Sequence, residues 1–149
     1  VRCHNMAEVF VDRFFSELQK QHLKQLGYKK ERRTFSRELP EYIERIQFQG
    51  SQWNSADTPW RFYINVGIQF RDLPRRHPDR DFPNTHAHGR IENLVSTGGG
   101  FFELTEQNAK EMLENISTLV TKASNALPQV ALATYEKCKE GQLVWFGVT

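Results

Sequence analysis

Trp60-Arg61-Phe62-Tyr63-Ile64-Asn65-Val66-Gly67-Ile68-Gln69-Phe70 is the stretch that decides the fold. Phe62, Ile64, Val66, Ile68 and Phe70 occupy every second position, and Arg61, Tyr63, Asn65, Gly67 and Gln69 stand between them. Such an alternation describes a strand with one apolar face and one mixed, more polar face. Upstream, residues 42–49 alternate as well, with Tyr42, Ile46 and Phe48 set against Glu44, Arg45 and Gln47, and Ile43 blurring the pattern. Pro40-Glu41 reads as a turn, and residues 28–39 as a first strand centred on Thr34-Phe35-Ser36. Residues 50–59 form a polar loop around Trp53. Sequential strands with short links predict an antiparallel meander.

Helical signals flank this β region. In residues 6–26, Phe10, Phe14 and Leu18 follow one another at four-residue steps, with Val11 and Phe15 beside them. Gly27 suits the left-handed position that ends a helix, and Lys20 and Lys24 suit its C-terminal dipole. Downstream, residues 71–89 read as a long loop holding Pro74, Pro78 and Pro83, a length that compact domains seldom keep unless the loop is functional or disordered. A short strand is expected at 90–95, a flexible turn at Gly98-Gly99-Gly100, then Phe101-Phe102-Glu103-Leu104. Thr105 is a candidate N-cap for a helix with an apolar stripe through Met112, Leu113, Ile116, Leu119, Val120, Ala123 and Leu127. Pro128 is expected to end that helix and open another, which stops near Gly141. The tail Leu143-Val144-Trp145-Phe146 should dock on the body or complete a sheet edge.

The expected architecture is α+β: an N-terminal helix, an antiparallel sheet of four or five strands, and two C-terminal helices packed on one sheet face. One domain over 6–149 accounts for the chain, with 1–5 read as disordered or as a remnant upstream of Met6.

Composition narrows the function classes. The 149 residues include eleven Phe, three Trp and four Tyr, enough for an aromatic core, which argues against intrinsic disorder. No apolar run approaches the roughly 18–20 residues of a membrane span. Twenty Lys and Arg against 18 Asp and Glu give +2, too little to imply nucleic-acid binding on its own. The charge is uneven, with seven basic residues and one acidic from Lys20 through Arg37, and four Lys against six Glu from Phe101 onward. Two cysteines, Cys3 and Cys138, and no recognisable leader fit a reducing cytoplasm.

An ordered series of short segments carries a family resemblance. It runs Leu23-Lys24-Gln25-Leu26-Gly27-Tyr28-Lys29-Lys30, Thr34-Phe35-Ser36-Arg37, Ile46-Gln47, Trp53, Arg61-Phe62, Ile64-Asn65-Val66-Gly67, and Gly89-Arg90-Ile91-Glu92-Asn93-Leu94. The series resembles a bacterial family known as a domain of unknown function, number four thousand three hundred and four. The resemblance covers residues 14–104 and departs from the family at Gly98–Phe102, where phenylalanines replace an expected tryptophan-rich segment. It implies an α+β fold and no particular reaction.

Several clusters are candidate sites. His77, Asp79, His86 and His88 share the long loop, and imidazole with carboxylate suits a divalent metal. The plainer reading is a solvated polar loop. Arg75, Arg76 and Arg80, with Arg71 and Arg90 around them, suit a phosphate or an acidic partner, or are neutralised by Asp72, Asp79 and Asp81. Trp53, Trp60, Tyr63 and Asn65 suit a cleft shared with Arg61 and Arg90, and Arg61, Tyr63, Asn65 and Gly67 fall on the less apolar strand face, which fits a ligand or partner surface, or a face left to solvent. The basic strand 29–37, with Tyr28 and Phe35, fits RNA stacking and phosphate contact, or charge that guards an edge strand.

No nucleophile motif, zinc-protease helix or Cys-x-x-Cys pair occurs. The expectation is a protein that works by binding a protein partner, such as an immunity-type protein that caps its target. It needs no cofactor and no membrane. The alternatives are a divalent-metal hydrolase using the 77–88 loop and an RNA-binding module using 29–37.

Overall fold

The computed structural model describes residues 6–51, 54, 59–75 and 85–146. Helix α1, Met6–Leu18, continues through a π turn at Gln19–Leu23 and a 3-10 turn at Lys24–Leu26. Gly27 ends it with φ 95°, the left-handed cap expected of this glycine. Among the described residues seven strands follow: β1 Lys29–Glu31, β2 Thr34–Glu38, β3 Tyr42–Gly50, β4 Trp60–Phe70, β5 Ala87–Arg90, β6 Phe102–Leu104 and β7 Val144–Trp145. Helix α2, Ala109–Lys139, lies between β6 and β7.

The sheet runs in the order β1-β2-β3-β4-β5-β7, an antiparallel meander to which β7 adds in parallel beside β5. β4 is the centre. β3 pairs along one edge of it, while β5 and β6 divide the other edge, β6 on 60–62 and β5 on 65–68. The sheet is wider than the four or five strands expected. What reads as one strand over 28–39 is a hairpin, because Arg32 takes φ 57° and reverses the chain. The tail supplies the last strand, and Phe146 behind it is buried.

One sheet face is the core. Phe62, Ile64, Val66, Ile68 and Phe70 of β4 lie beside Tyr42, Ile46 and Phe48 of β3. Phe15 of α1 sits among Phe48, Trp60 and Phe62, with ring centroids 4.8–6.3 Å apart. Helix α2 adds Leu113, Ile116, Val120, Ala123 and Leu127 to the same layer.

Further expectations are corrected. The two C-terminal helices are one helix of 31 residues with Pro128 inside it. Pro128 removes one helical hydrogen bond, a loss on the order of 3 kcal/mol, yet the buried stripe continues on both sides of it at Ala123, Leu127 and Ala131. Packing of that stripe outweighs the local defect. The expected strand at 90–95 is displaced, since pairing ends at Arg90 and Ile91–Asn93 form a 3-10 turn. Glu44, read as a polar-face residue, is wholly buried, because strand parity places it with Tyr42, Ile46 and Phe48. The N-cap of α2 is Asn108 and not the expected Thr105, which lies in the turn before the helix and exchanges bonds with Asn108: Thr105 N to Asn108 Oδ1 at 2.8 Å, and Asn108 N to Thr105 Oγ1 at 3.1 Å.

Candidate functional site

The two helices lie on the core face of the sheet, and the face opposite them carries the polar array. Tyr63 and Asn65 project from β4, Gln47 and Gln49 from β3, and Arg90 from β5, all of one parity. The Asn65 side-chain amide donates to Gln47 Oε1 at 2.9 Å and to Gln49 Oε1 at 3.0 Å. The Arg90 guanidinium lies 4.2 Å from the Tyr63 ring centroid and reaches Gln49 Oε1 at 3.5 Å. These side chains hold one another in place, so the face is ordered before anything binds it. Arg61 stands further along β4, stacked 5.0 Å over Phe101 and 3.6 Å from Glu103. Of the residues selected from the sequence, the fold therefore brings Tyr63, Asn65 and Arg90 together and leaves Arg61 at the edge. Gln47 and Gln49 were missed as site residues, although their spacing on β3 matches Asn65 in register.

Toward the other end of this face, Arg45 donates to Ser36 Oγ at 2.9 Å and to Gln69 Oε1 at 2.6 Å. Partial burial and then the nearby Arg75 hold the Arg45 guanidinium below its usual range. Arg75 is exposed, and Arg76 and Arg80 lie outside the described residues.

Of the histidine loop, residues 71–75 and 85–89 are described. Phe70 N donates to His86 Nδ1 at 3.0 Å, which leaves the proton on Nε2, facing the Pro74 carbonyl at 2.8 Å. His86 thus uses both ring nitrogens on backbone groups. His88 Nδ1 lies 3.0 Å from Thr85 Oγ1, and its ring meets Trp145 edge-on at 4.1 Å. His77 and Asp79 lie outside the described residues, as do Asp81, Trp53 and Cys3. Among the described residues no group of three or more His, Cys, Asp or Glu could hold a metal ion. Cys138 is buried, with its thiol donating to the His86 carbonyl at 3.4 Å.

In the basic strand, Lys29 and Lys30 are exposed on the short edge strand β1. Arg33 stacks 5.0 Å over Trp60 and pairs with Asp12 at 3.3 Å. Arg37 turns to the core face and pairs with Glu44 at 3.1 Å.

That pair belongs to a buried network the sequence did not suggest. Glu44 accepts from Arg37, from Ser124 at 3.0 Å and from the Tyr28 hydroxyl, and Arg37 also donates to Ser124. All three donors face the carboxylate, as a buried acceptor-only group requires. Burial, followed by the negative field of Glu44, drives the Tyr28 phenol far above its ordinary range. The same two causes raise Tyr42. The network pins β2, β3, α2 and the segment after α1 to one point.

Among the described residues no helix is long and apolar enough to cross a membrane. A family model described as "Domain of unknown function (DUF4304)" matches residues 20–132. No curated protein and no solved structure matches the chain.

Proposed function

We propose, starting from the fact that this chain belongs to the DUF4304 family, that it binds a protein partner on the helix-free face of its sheet and does not act by catalysis. The observation that carries this reading is the array of Tyr63, Asn65, Gln47, Gln49 and Arg90, ordered by its own hydrogen bonds on a face opposite both helices. Tyrosine and arginine are the side chains that most often dominate protein interfaces. Holding them in place beforehand lowers the entropic cost of association. An immunity-type role, in which this face caps a target protein, suits an α+β unit with a preordered polar face. The cytoplasm is the compartment that suits its buried Cys138 thiol.

The test is native mass spectrometry of the protein purified gently from its own host, beside a Tyr63→Ala, Arg90→Ala variant. A second polypeptide at fixed stoichiometry is expected with the unaltered chain. The double substitution should remove about 2 kcal/mol or more of binding, roughly thirtyfold in affinity, at unchanged melting temperature. A partner retained at full occupancy by the variant would move the contact surface elsewhere. A bare chain mass in both would count against the reading.

A further inference from the structure

We infer that the groove between the end of β4, the β2–β3 turn and α2 is a second binding site, fitted to a basic polypeptide segment that carries an apolar side chain. The groove lies on the core side of the sheet, at its margin, away from Tyr63 and Arg90, so it is independent of the face described above. Its volume is about 1140 Å³, and it is open to solvent. Enclosed small-molecule pockets usually stop near 1,000 Å³. The size and openness suit a length of chain.

Chemistry selects the occupant. Tyr42, Phe70 and Ala131 form an apolar floor, and Leu132 stands at the lip with 79% of its surface in water. The rim carries three carboxylates, Glu41, Asp72 and Glu136. None of them enters an ion pair among the described residues. Both arginines in the groove are already committed. Arg37 serves Glu44, and Arg71 pairs with Glu38 at 3.5 Å while donating to the Leu39 carbonyl at 2.7 Å. Tyr135 donates to Asp72 at 2.6 Å and meets the Phe70 ring edge-on at 5.1 Å, which fixes that carboxylate at the mouth. An apolar trough with uncompensated negative charge at its rim complements a lysine or arginine. The stem of such a side chain can lie on the aromatic floor while its head reaches the carboxylates. A neighbouring apolar residue would cover Leu132.

The Glu44 network supports this geometry from beneath. Ser124 and Arg37 line the groove and also bond Glu44, so the distance between α2 and the sheet is held by buried bonds. The groove is therefore preformed.

The probe is an array of short fluorescent peptides with one Leu, Ile, Phe or Met flanked by Lys or Arg, beside counterparts flanked by Glu. Basic peptides should bind, and binding should weaken with salt. The variant Glu41→Gln, Asp72→Asn, Glu136→Gln alters only exposed side chains and should keep the melting temperature. It should bind about tenfold more weakly, the sum of several exposed charge contacts. Amide shifts on binding should cluster at Asp72, Leu132 and Tyr135. The inference is overturned if no basic peptide binds, if Glu-flanked peptides bind equally well, or if the triple variant binds unchanged. It is also overturned if the shifts appear at Tyr63, Asn65 and Arg90, or if tetramethylammonium alone displaces the peptides completely at their own concentration.

Discussion

Ser124, midway along α2, donates its hydroxyl hydrogen to Glu44 Oε2 at 3.0 Å, and this bond joins the long helix to the sheet across 80 residues of chain. Glu44 is 0% exposed and meets its donors away from water, although the Arg37 side chain keeps 26% of its surface in solvent. The contact that places α2 is thus polar, in a layer that is otherwise aromatic and aliphatic.

Replacing Glu44 with Ala should destabilise the protein by about 3 kcal/mol, because two buried hydroxyls and the part-exposed Arg37 guanidinium lose their acceptor. Glu44→Gln keeps one acceptor oxygen and should lose less. Urea denaturation followed by circular dichroism measures both. Equal losses for Ala and Gln would show that packing volume, not the carboxylate, matters at this position.

Tyr28 sets an alkaline limit. Its phenol titrates near 10.0 when unfolded and is raised in the folded protein by burial and by Glu44. The folded state therefore holds the proton more tightly, so stability is complete below the unfolded value and declines as pH rises beyond it. Tyr28→Phe should cost about 1 kcal/mol at neutral pH and flatten the decline above pH 10. Chemical denaturation across that range checks the slope, and parallel curves for the two proteins would remove Tyr28 as the cause.

Gly89 makes room for the tail. A β-carbon there would stand 2.8 Å from Phe146 Cβ and 3.2 Å from its backbone nitrogen. Gly89→Ala should push β7 from β5 and cost about 1–3 kcal/mol. Trp145, packed on His88, reports the shift through its fluorescence. An unaltered spectrum and melting temperature would mean that the tail accommodates the methyl group.

His86 closes the end of β4. His86→Ala leaves the Phe70 amide and the Pro74 carbonyl without their imidazole partner, a loss of about 1–3 kcal/mol. Hydrogen exchange at Phe70 should quicken by more than at Ile64, which sits in mid-strand. Equal changes at both positions would indicate global loosening and not a local clasp.

Much of this was legible from spacing. The alternation in β4 identified Phe62, Ile64, Val66, Ile68 and Phe70 as buried, although Gly67 and Gln69 on the other face are buried as well, and the apolar steps in α1 and α2 identified the helical faces. Belonging to the DUF4304 family, read from an ordered series of short segments, is upheld. Tyr63 and Asn65 were selected because they fall on the polar side of their strand, and Arg90 as an arginine beside the cleft and the long loop; the register places all three on one face. Gln47 and Gln49 were within reach by the same parity rule applied to β3. Glu44 was also within reach, since it shares parity with Tyr42 and Ile46. Its charge argued for the surface and prevailed over its position.

What the amino-acid order decided alone is local: which side chains share a face, and where Gly27 must turn to end a helix. These follow from periods of two and of 3.6 residues and from backbone sterics, which need no distant partner. What only the tertiary structure decided is which distant groups meet. Pro128 passes through α2 because the core on both sides rewards a continuous helix. Glu44 is buried because Arg37, Tyr28 and Ser124 arrive from three other segments to receive it. The groove exists because α2 crosses the sheet margin at that point. A buried charge is tolerable only when its partners are supplied, and the fold alone supplies them.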